Sequence, residues 1–175
     1  MRINDRDFKP FITAGELQHM VQRLAGEVSR DYAAADLVAC PVLTGAYMFA
    51  ADLLRHVTVP CEVDFVRYAS YSGLNSTGRV RCELPFPARV AGRDVLVVED
   101  VVDSGLSMQV VLRELQELHP RSVRLCTLFF KPSAFRGDYR VDYVGREIGN
   151  EFIVGYGMDY DGKGRNLPEI YVIEQ

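Results

Sequence analysis

Apolar residues recur at helical spacing after Thr13, at Leu17, Met20, Val21, Leu24 and Val28, which predicts a helix with one inward face up to about Tyr32. Thr13-Ala14-Gly15-Glu16 fits a capping box, in which the two polar side chains satisfy free N–H groups at a helix start. Leu37 to Cys40 is a short apolar run that ends at Pro41. After a break at Thr44-Gly45, Tyr47 to Val57 again has helical spacing. Cys61 to Tyr68 predicts a strand, Ala69 to Gly78 a Ser/Gly/Asn-rich loop, and Arg79 to Leu84 a returning strand. Asp94 to Val98 is a continuous apolar run, the pattern of a strand covered on both faces of a parallel sheet. A loop follows, then a helix expected to turn Val110, Val111, Leu115 and Leu118 inward, and then a second buried strand from Val123 to Phe130. Strand, helix and strand in this order predict an α/β fold with an open, mainly parallel twisted sheet flanked by helices. Ligands of such sheets bind beyond the carboxyl ends of the strands, which directs attention to the loops after Leu43, Asp100 and Phe130.

The chain has 175 residues and shows no repeat, low-complexity tract or linker, so one domain spanning 1–175 is expected. Acids outnumber bases 24 to 20, a net charge of −4 that speaks against binding nucleic-acid backbones. The first residues hold no apolar core of the kind a secretory signal needs, and the longest apolar stretch, Leu37 to Ala51, is shorter than the roughly 20 residues of a membrane span. The expectation is a cytoplasmic protein with no membrane contact. Cys40, Cys61, Cys82 and Cys126 are widely spaced and form no C-x-x-C pair, so reduced, partly buried thiols are expected.

The chemistry concentrates in Glu99-Asp100-Val101-Val102-Asp103-Ser104-Gly105-Leu106-Ser107. A buried strand ends in two adjacent carboxylates, and a third acid precedes a small turn that opens a helix. Two carboxylates at the mouth of a sheet repel each other, so cations or sugar hydroxyls are their natural partners. Ser104 to Ser107 offers backbone N–H groups and a positive helix terminus to an anionic phosphate, with Ser104 or Ser107 as the helix cap. Together they describe a site for a phosphorylated sugar. No Walker A sequence is present.

This segment resembles the phosphoribosyl-pyrophosphate signature of the purine phosphoribosyltransferases, and its Glu-Asp pair is similar to the hypoxanthine-guanine branch. The resemblance extends through Leu43 to Phe49 with Ala51-Asp52-Leu53, Val63-Asp64-Phe65, Ser70-Tyr71, Lys131-Pro132, Val141 to Gly145, Phe152 to Tyr160 and Arg165 to Pro168. It implies a type I phosphoribosyltransferase fold with a small base-binding hood. It also implies Mg²⁺-dependent transfer of 5-phosphoribosyl from its pyrophosphate donor to N9 of an oxopurine, hypoxanthine or guanine, in a homodimer or homotetramer. Glu99 and Asp100 would hold the ribose hydroxyls directly or through Mg²⁺, and Asp159 would contact a second metal. Ser104, Gly105, Leu106 and Ser107 would cradle the 5-phosphate beside Asp103, the candidate general acid/base at N7. Thr44, Gly45 and Arg165 would meet pyrophosphate, with Thr44 standing where most relatives carry Lys or Arg. Ser70 and Tyr71 would form a closing flap. Phe152 would stack on the purine between Val101 and Ile153, Lys131 would donate to its O6, and backbone groups near Asp159 would choose among the oxopurines. Two rivals keep the same fold: an RNA-binding regulator, disfavoured by the acidity, and a phosphoribosyltransferase for another base.

Overall fold

The computed structural model describes residues 1–70 and 80–174. The strands in chain order are β1 (Arg2–Ile3), β2 (Arg6–Ile12), β3 (Leu37–Leu43), β4 (Cys61–Val63), β5 (Val66–Ser70), β6 (Val80–Leu84), β7 (Asp94–Val102), β8 (Ser122–Phe130), β9 (Tyr143–Glu147), β10 (Ile153–Val154) and β11 (Ile170–Ile173). The helices are α1 (Ala14–Asp31), α2 (Tyr47–His56) and α3 (Leu106–Gln116), with a 3₁₀ turn at Ala88–Val90. The main sheet runs β6-β5-β3-β7-β8-β9, with β4 beside the first half of β3. Its strands are parallel except for β6, which returns antiparallel to β5. A second, antiparallel sheet runs β1-β2-β11-β10 and forms the hood.

The capping box forms as expected: Thr13 N–H donates to Glu16 Oε2 at 3.0 Å, and Glu16 N–H donates to Thr13 Oγ1 at 3.3 Å. Leu17, Val21, Leu24, Ala25 and Val28 make the buried stripe of α1, and Met20 packs at its edge. Along β7 the side chains alternate between two cores. Leu96 and Val98 join α1, α2 and the hood, while Val95 and Val97 join Met108, Val111 and Leu115 of α3. Ile153, Tyr156, Met158, Ile170 and Val172 belong to the first core, so the hood rests on the α1/α2 side of the sheet.

The structure corrects several expected boundaries. β3 does not stop at Pro41 but runs to Leu43. Ala39 O accepts from Asp64 N–H, and by alternation the Pro41 nitrogen faces the same edge, in the gap where β3 changes partner from β4 to β5. A residue without an N–H costs the ladder nothing there. The run Cys61 to Tyr68 is accordingly two strands, broken at Asp64-Phe65, and Asp64 pairs with Arg89. β7 extends past the acidic pair to Val102, because Val101 and Val102 still pair with Phe129 and Phe130 of β8. In α3, Met108 rather than Val110 takes the inward position, because it stands at i, i+3 and i+7 spacing with the buried Val111 and Leu115.

Candidate active site

Glu99 and Asp100 lie within a strand, so their side chains leave toward different faces. Asp100 lines a cavity of about 220 Å³ under the hood, and Glu99 lines one of about 120 Å³ at the Ser104–Ser107 turn. Both cavities are also lined by Val101 and Asp103. Backbone groups orient the two acids: Asp100 N–H donates to Glu99 Oε1 at 3.0 Å and Val101 N–H to Asp100 Oδ1 at 2.8 Å. Burial, and next the charge of Asp100, hold the Glu99 carboxyl well above the usual carboxylate range.

The Ser104–Ser107 turn is built without a side-chain cap. Neither Ser104 nor Ser107 caps α3; Gly105 occupies that position at φ 77°, in the left-handed region that favours glycine. The first-turn N–H groups therefore stay available to an anion at the positive end of an 11-residue helix. The closest local substitute is a long 3.5 Å contact from Leu106 N–H to Ser104 Oγ. Leu106 itself points outward, 55% exposed. The turn is braced from below: Tyr139 Oη donates to Gly105 O at 3.0 Å, Arg136 N–H donates to Ser104 O at 2.8 Å, and Phe135 packs against the Gly105 Cα.

Lys131 is only 8% exposed, and its Nζ donates to Asp103 Oδ2 at 2.7 Å. Phe152 is 45% exposed and meets Tyr160 edge-on, ring centroids 5.7 Å apart, so it is not a core aromatic. Lys131, Phe152, Ile153, Met158 and Asp159 complete the 220 Å³ cavity with Asp100, Val101 and Asp103. The cavity thus joins a flat apolar wall to a cation and three carboxylates. Asp159 is engaged at both oxygens, by Arg165 Nη2 at 2.7 Å and by Gly162 N–H at 2.6 Å. A larger cavity of about 570 Å³, between α3 and residues 138–142, shares none of these side chains.

Beyond β3 the Leu43–Thr44 peptide is cis and Thr44 is exposed. A Cβ on Gly45 would overlap the Asp100 carboxylate, and a Cβ on Gly157 would overlap the Gly45 carbonyl oxygen. The Asp100 side chain thus rests on the loop backbone, and the loop backbone rests on that of the hood. Arg165 donates to Gly157 O at 2.7 Å, so it braces the hood. Ser70 ends β5, and Tyr71 lies outside the described residues, so the flap expectation falls there.

The phosphoribosyl transferase domain model matches residues 13–161. The hypoxanthine-guanine phosphoribosyltransferase of Mycobacterium avium is 42% identical over 170 residues, covering 93% of this chain and 84% of its own. The chain belongs to the hypoxanthine-guanine phosphoribosyltransferases. A crystal structure of the Bacillus anthracis hypoxanthine-guanine phosphoribosyltransferase superposes with a TM-score of 0.90 at 36% identity, covering 96% of this chain and all of that one. The hypoxanthine-guanine-xanthine phosphoribosyltransferase of Tritrichomonas foetus is 38% identical over 161 residues, covering 91% of this chain and 88% of its own. The open, mainly parallel sheet of this chain is the type I phosphoribosyltransferase fold.

In this phosphoribosyltransferase, sequence reasoning missed the supports of the site rather than its lining. Phe135 and Tyr139 beneath Gly105 carried no motif of their own, and Tyr156, whose hydroxyl donates to Asp52 Oδ2 at 2.5 Å, lay in a matched segment without a role assigned to it. The available signal was the glycine pattern, since Gly105, Gly137 and Gly157 each mark a close approach.

Proposed function

We propose that this phosphoribosyltransferase joins C1′ of phosphoribosyl pyrophosphate to N9 of hypoxanthine or guanine, releasing pyrophosphate and a purine nucleotide. The observation that carries the reading is the single cavity in which Phe152 faces the Asp103–Lys131 pair, next to an uncapped glycine turn. The purine slides between Phe152 and the Val101/Ile153 wall. Lys131 turns from Asp103 to the O6 acceptor, which frees the Asp103 carboxylate to take the purine proton at N7 as the bond to C1′ forms. The N–H groups of Gly105, Leu106 and Ser107 hold the 5-phosphate, with the Ser104 and Ser107 hydroxyls beside them. Thr44 and Gly45 receive the departing pyrophosphate through the loop backbone, with Arg165 nearby.

Glu99 and Asp100 would hold the ribose hydroxyls or Mg²⁺, and Asp159 would meet a second ion by exchanging its Arg165 or Gly162 partner. Among the described residues no three His, Cys, Asp or Glu side chains form a closed cage. Mg²⁺ keeps several waters and uses one or two carboxylates together with substrate phosphates, a demand that Glu99 and Asp100 could meet. The crowded Glu99–Asp100 pair is the kind of donor set that a cation relieves. When bound, Mg²⁺ neutralises the leaving pyrophosphate.

Among the described residues no helix is long and apolar enough to cross a membrane, and the net charge of −4 disfavours RNA backbones as a main partner. We place the enzyme in the cytoplasm as a homodimer or homotetramer. The test is a product assay with phosphoribosyl pyrophosphate, Mg²⁺ and hypoxanthine, guanine, xanthine or adenine. Oxopurines give nucleotide and pyrophosphate. Adenine, whose amino group leaves Lys131 unpaired, reacts about 10²-fold or more slowly. Equal adenine turnover removes the Lys131 role, and no nucleotide with any base removes the reading.

A further inference from the structure

Gly155, Tyr156 and Gly157 have φ values of 105°, 51° and 104°, three consecutive residues on the positive side. Two are glycines and incur no side-chain penalty, but Tyr156 is bulky and buried, and a residue with a Cβ holds this conformation only when its surroundings over-determine it. Its restraints are visible. Tyr156 N–H donates to Leu167 O at 2.8 Å, and Gly157 N–H donates to Arg165 O at 2.9 Å. The Tyr156 hydroxyl reaches out of the hood to Asp52 Oδ2 on α2, and Gln18 of α1 donates to the same oxygen at 3.3 Å. α2 is the helix that starts directly after the Thr44–Gly45 loop.

The hood therefore touches the loop directly at one point and grips the helix that follows it at another. One is the backbone contact of Gly157 on Gly45, which itself touches Asp100. The other is the Tyr156–Asp52 hydrogen bond, the single side-chain link between the 155–158 turn and α2 among the described hydrogen bonds. The turn ends at Met158 and Asp159, which line the cavity that also holds Phe152 and Lys131. A displacement of the loop is thus passed to the wall against which the base would rest.

We propose that Tyr156 and Asp52 are a positioning pair that couples the pyrophosphate loop to the purine slot, so that filling one tightens the other. This rests on the function proposed above. Coupling of this kind is a ratio of affinities and is the same whichever ligand is added first.

The experiment titrates guanosine monophosphate into the enzyme with and without magnesium pyrophosphate, and takes the ratio of the two dissociation constants. The unaltered chain gives a ratio well away from one. Tyr156→Phe, which removes one oxygen and keeps the ring, brings the ratio at least fivefold nearer to one, and Asp52→Ala does the same. Asp52→Asn, still able to accept from the tyrosine, retains most of the coupling. The double variant Tyr156→Phe/Asp52→Ala is no worse than the worse single one. A role in stability alone would lower the melting temperature of Tyr156→Phe and leave the ratio where it was. That result overturns the proposal, as does a ratio of one in the unaltered chain. If the unaltered chain binds no nucleotide at all, the functional reading fails first and this proposal falls with it.

Discussion

Asp103 and Lys131 are cross-strand neighbours one step past the last paired residues of β7 and β8. Val102 pairs with Phe130, Lys131 N–H donates to Val102 O, and the two side chains then meet at 2.7 Å. The sheet register places a carboxylate against a buried ammonium in the lining of the 220 Å³ cavity, so the Lys131 charge is not an incidental surface one.

Replacing Asp103 with Asn keeps the shape and an acceptor for Lys131 but removes the proton-accepting function. The expected result is a kcat lower by about 10²–10⁴-fold, the usual worth of a general base, with the KM for phosphoribosyl pyrophosphate little changed. Steady-state kinetics with hypoxanthine decide it. A kcat near that of the unaltered enzyme would leave Asp103 as a structural partner of Lys131 only.

Phe152→Ala separates binding from folding. The ring is 45% exposed, so stability in a urea titration changes by only about 0.5 kcal/mol. Loss of base stacking costs about 1–3 kcal/mol, which raises the purine KM by roughly 5- to 150-fold. A large loss of stability with an unchanged KM would contradict the exposed wall described here.

Gly45→Ala forces a methyl group into the Asp100 carboxylate. The loop and the β7 tip must part, at a cost of about 1–3 kcal/mol in stability, and kcat/KM for phosphoribosyl pyrophosphate falls because Asp100 is displaced. Denaturant midpoints and a pyrophosphate-release assay measure the two effects. An alanine variant unchanged in both would refute the contact.

Asp94 is buried and accepts hydrogen bonds from both Arg121 Nε, at 3.0 Å, and the neighbouring Nη2, with Ser122 Oγ at 2.7 Å. The Arg121 bond, ahead of the Ser122 bond, holds its carboxyl below the usual range. With the folded-state pKa below the unfolded one, the stabilisation is complete above the ordinary carboxylate range and is lost as the pH falls through it. Asp94→Asn should be about 1–3 kcal/mol less stable at pH 7 and show a flatter decline below about pH 4. Urea midpoints across that range test it, and an unchanged acid limb would count against the assignment.

The sheet and helices were legible because β7 and β8 are long apolar runs and α1 opens with a capping box. The lining of the two cavities was legible for a related reason: Glu99 and Asp100 lie in the last part of a buried strand, Asp103 directly follows it, and Lys131 directly follows its neighbour. Boundaries set by partner strands were not. Pro41 ends a strand on local grounds, yet it sits where β3 changes neighbours and needs no N–H. The α3 cap was misassigned to a serine because the left-handed backbone of Gly105 has no polar signature. Tyr156 and Asp52 are 104 residues apart, and no local pattern joins them.

In the hood, Phe8 of β2 faces Ile173 of β11, so β2 pairs with a strand that follows the whole main sheet in the chain. A nascent polypeptide carries the acids, the glycine turn and the loop after β3 well before Ile170 leaves the ribosome, but β2 still lacks its partner. The main sheet can thus assemble first during synthesis, and the wall that the hood adds over Asp100 and Lys131 is completed after it.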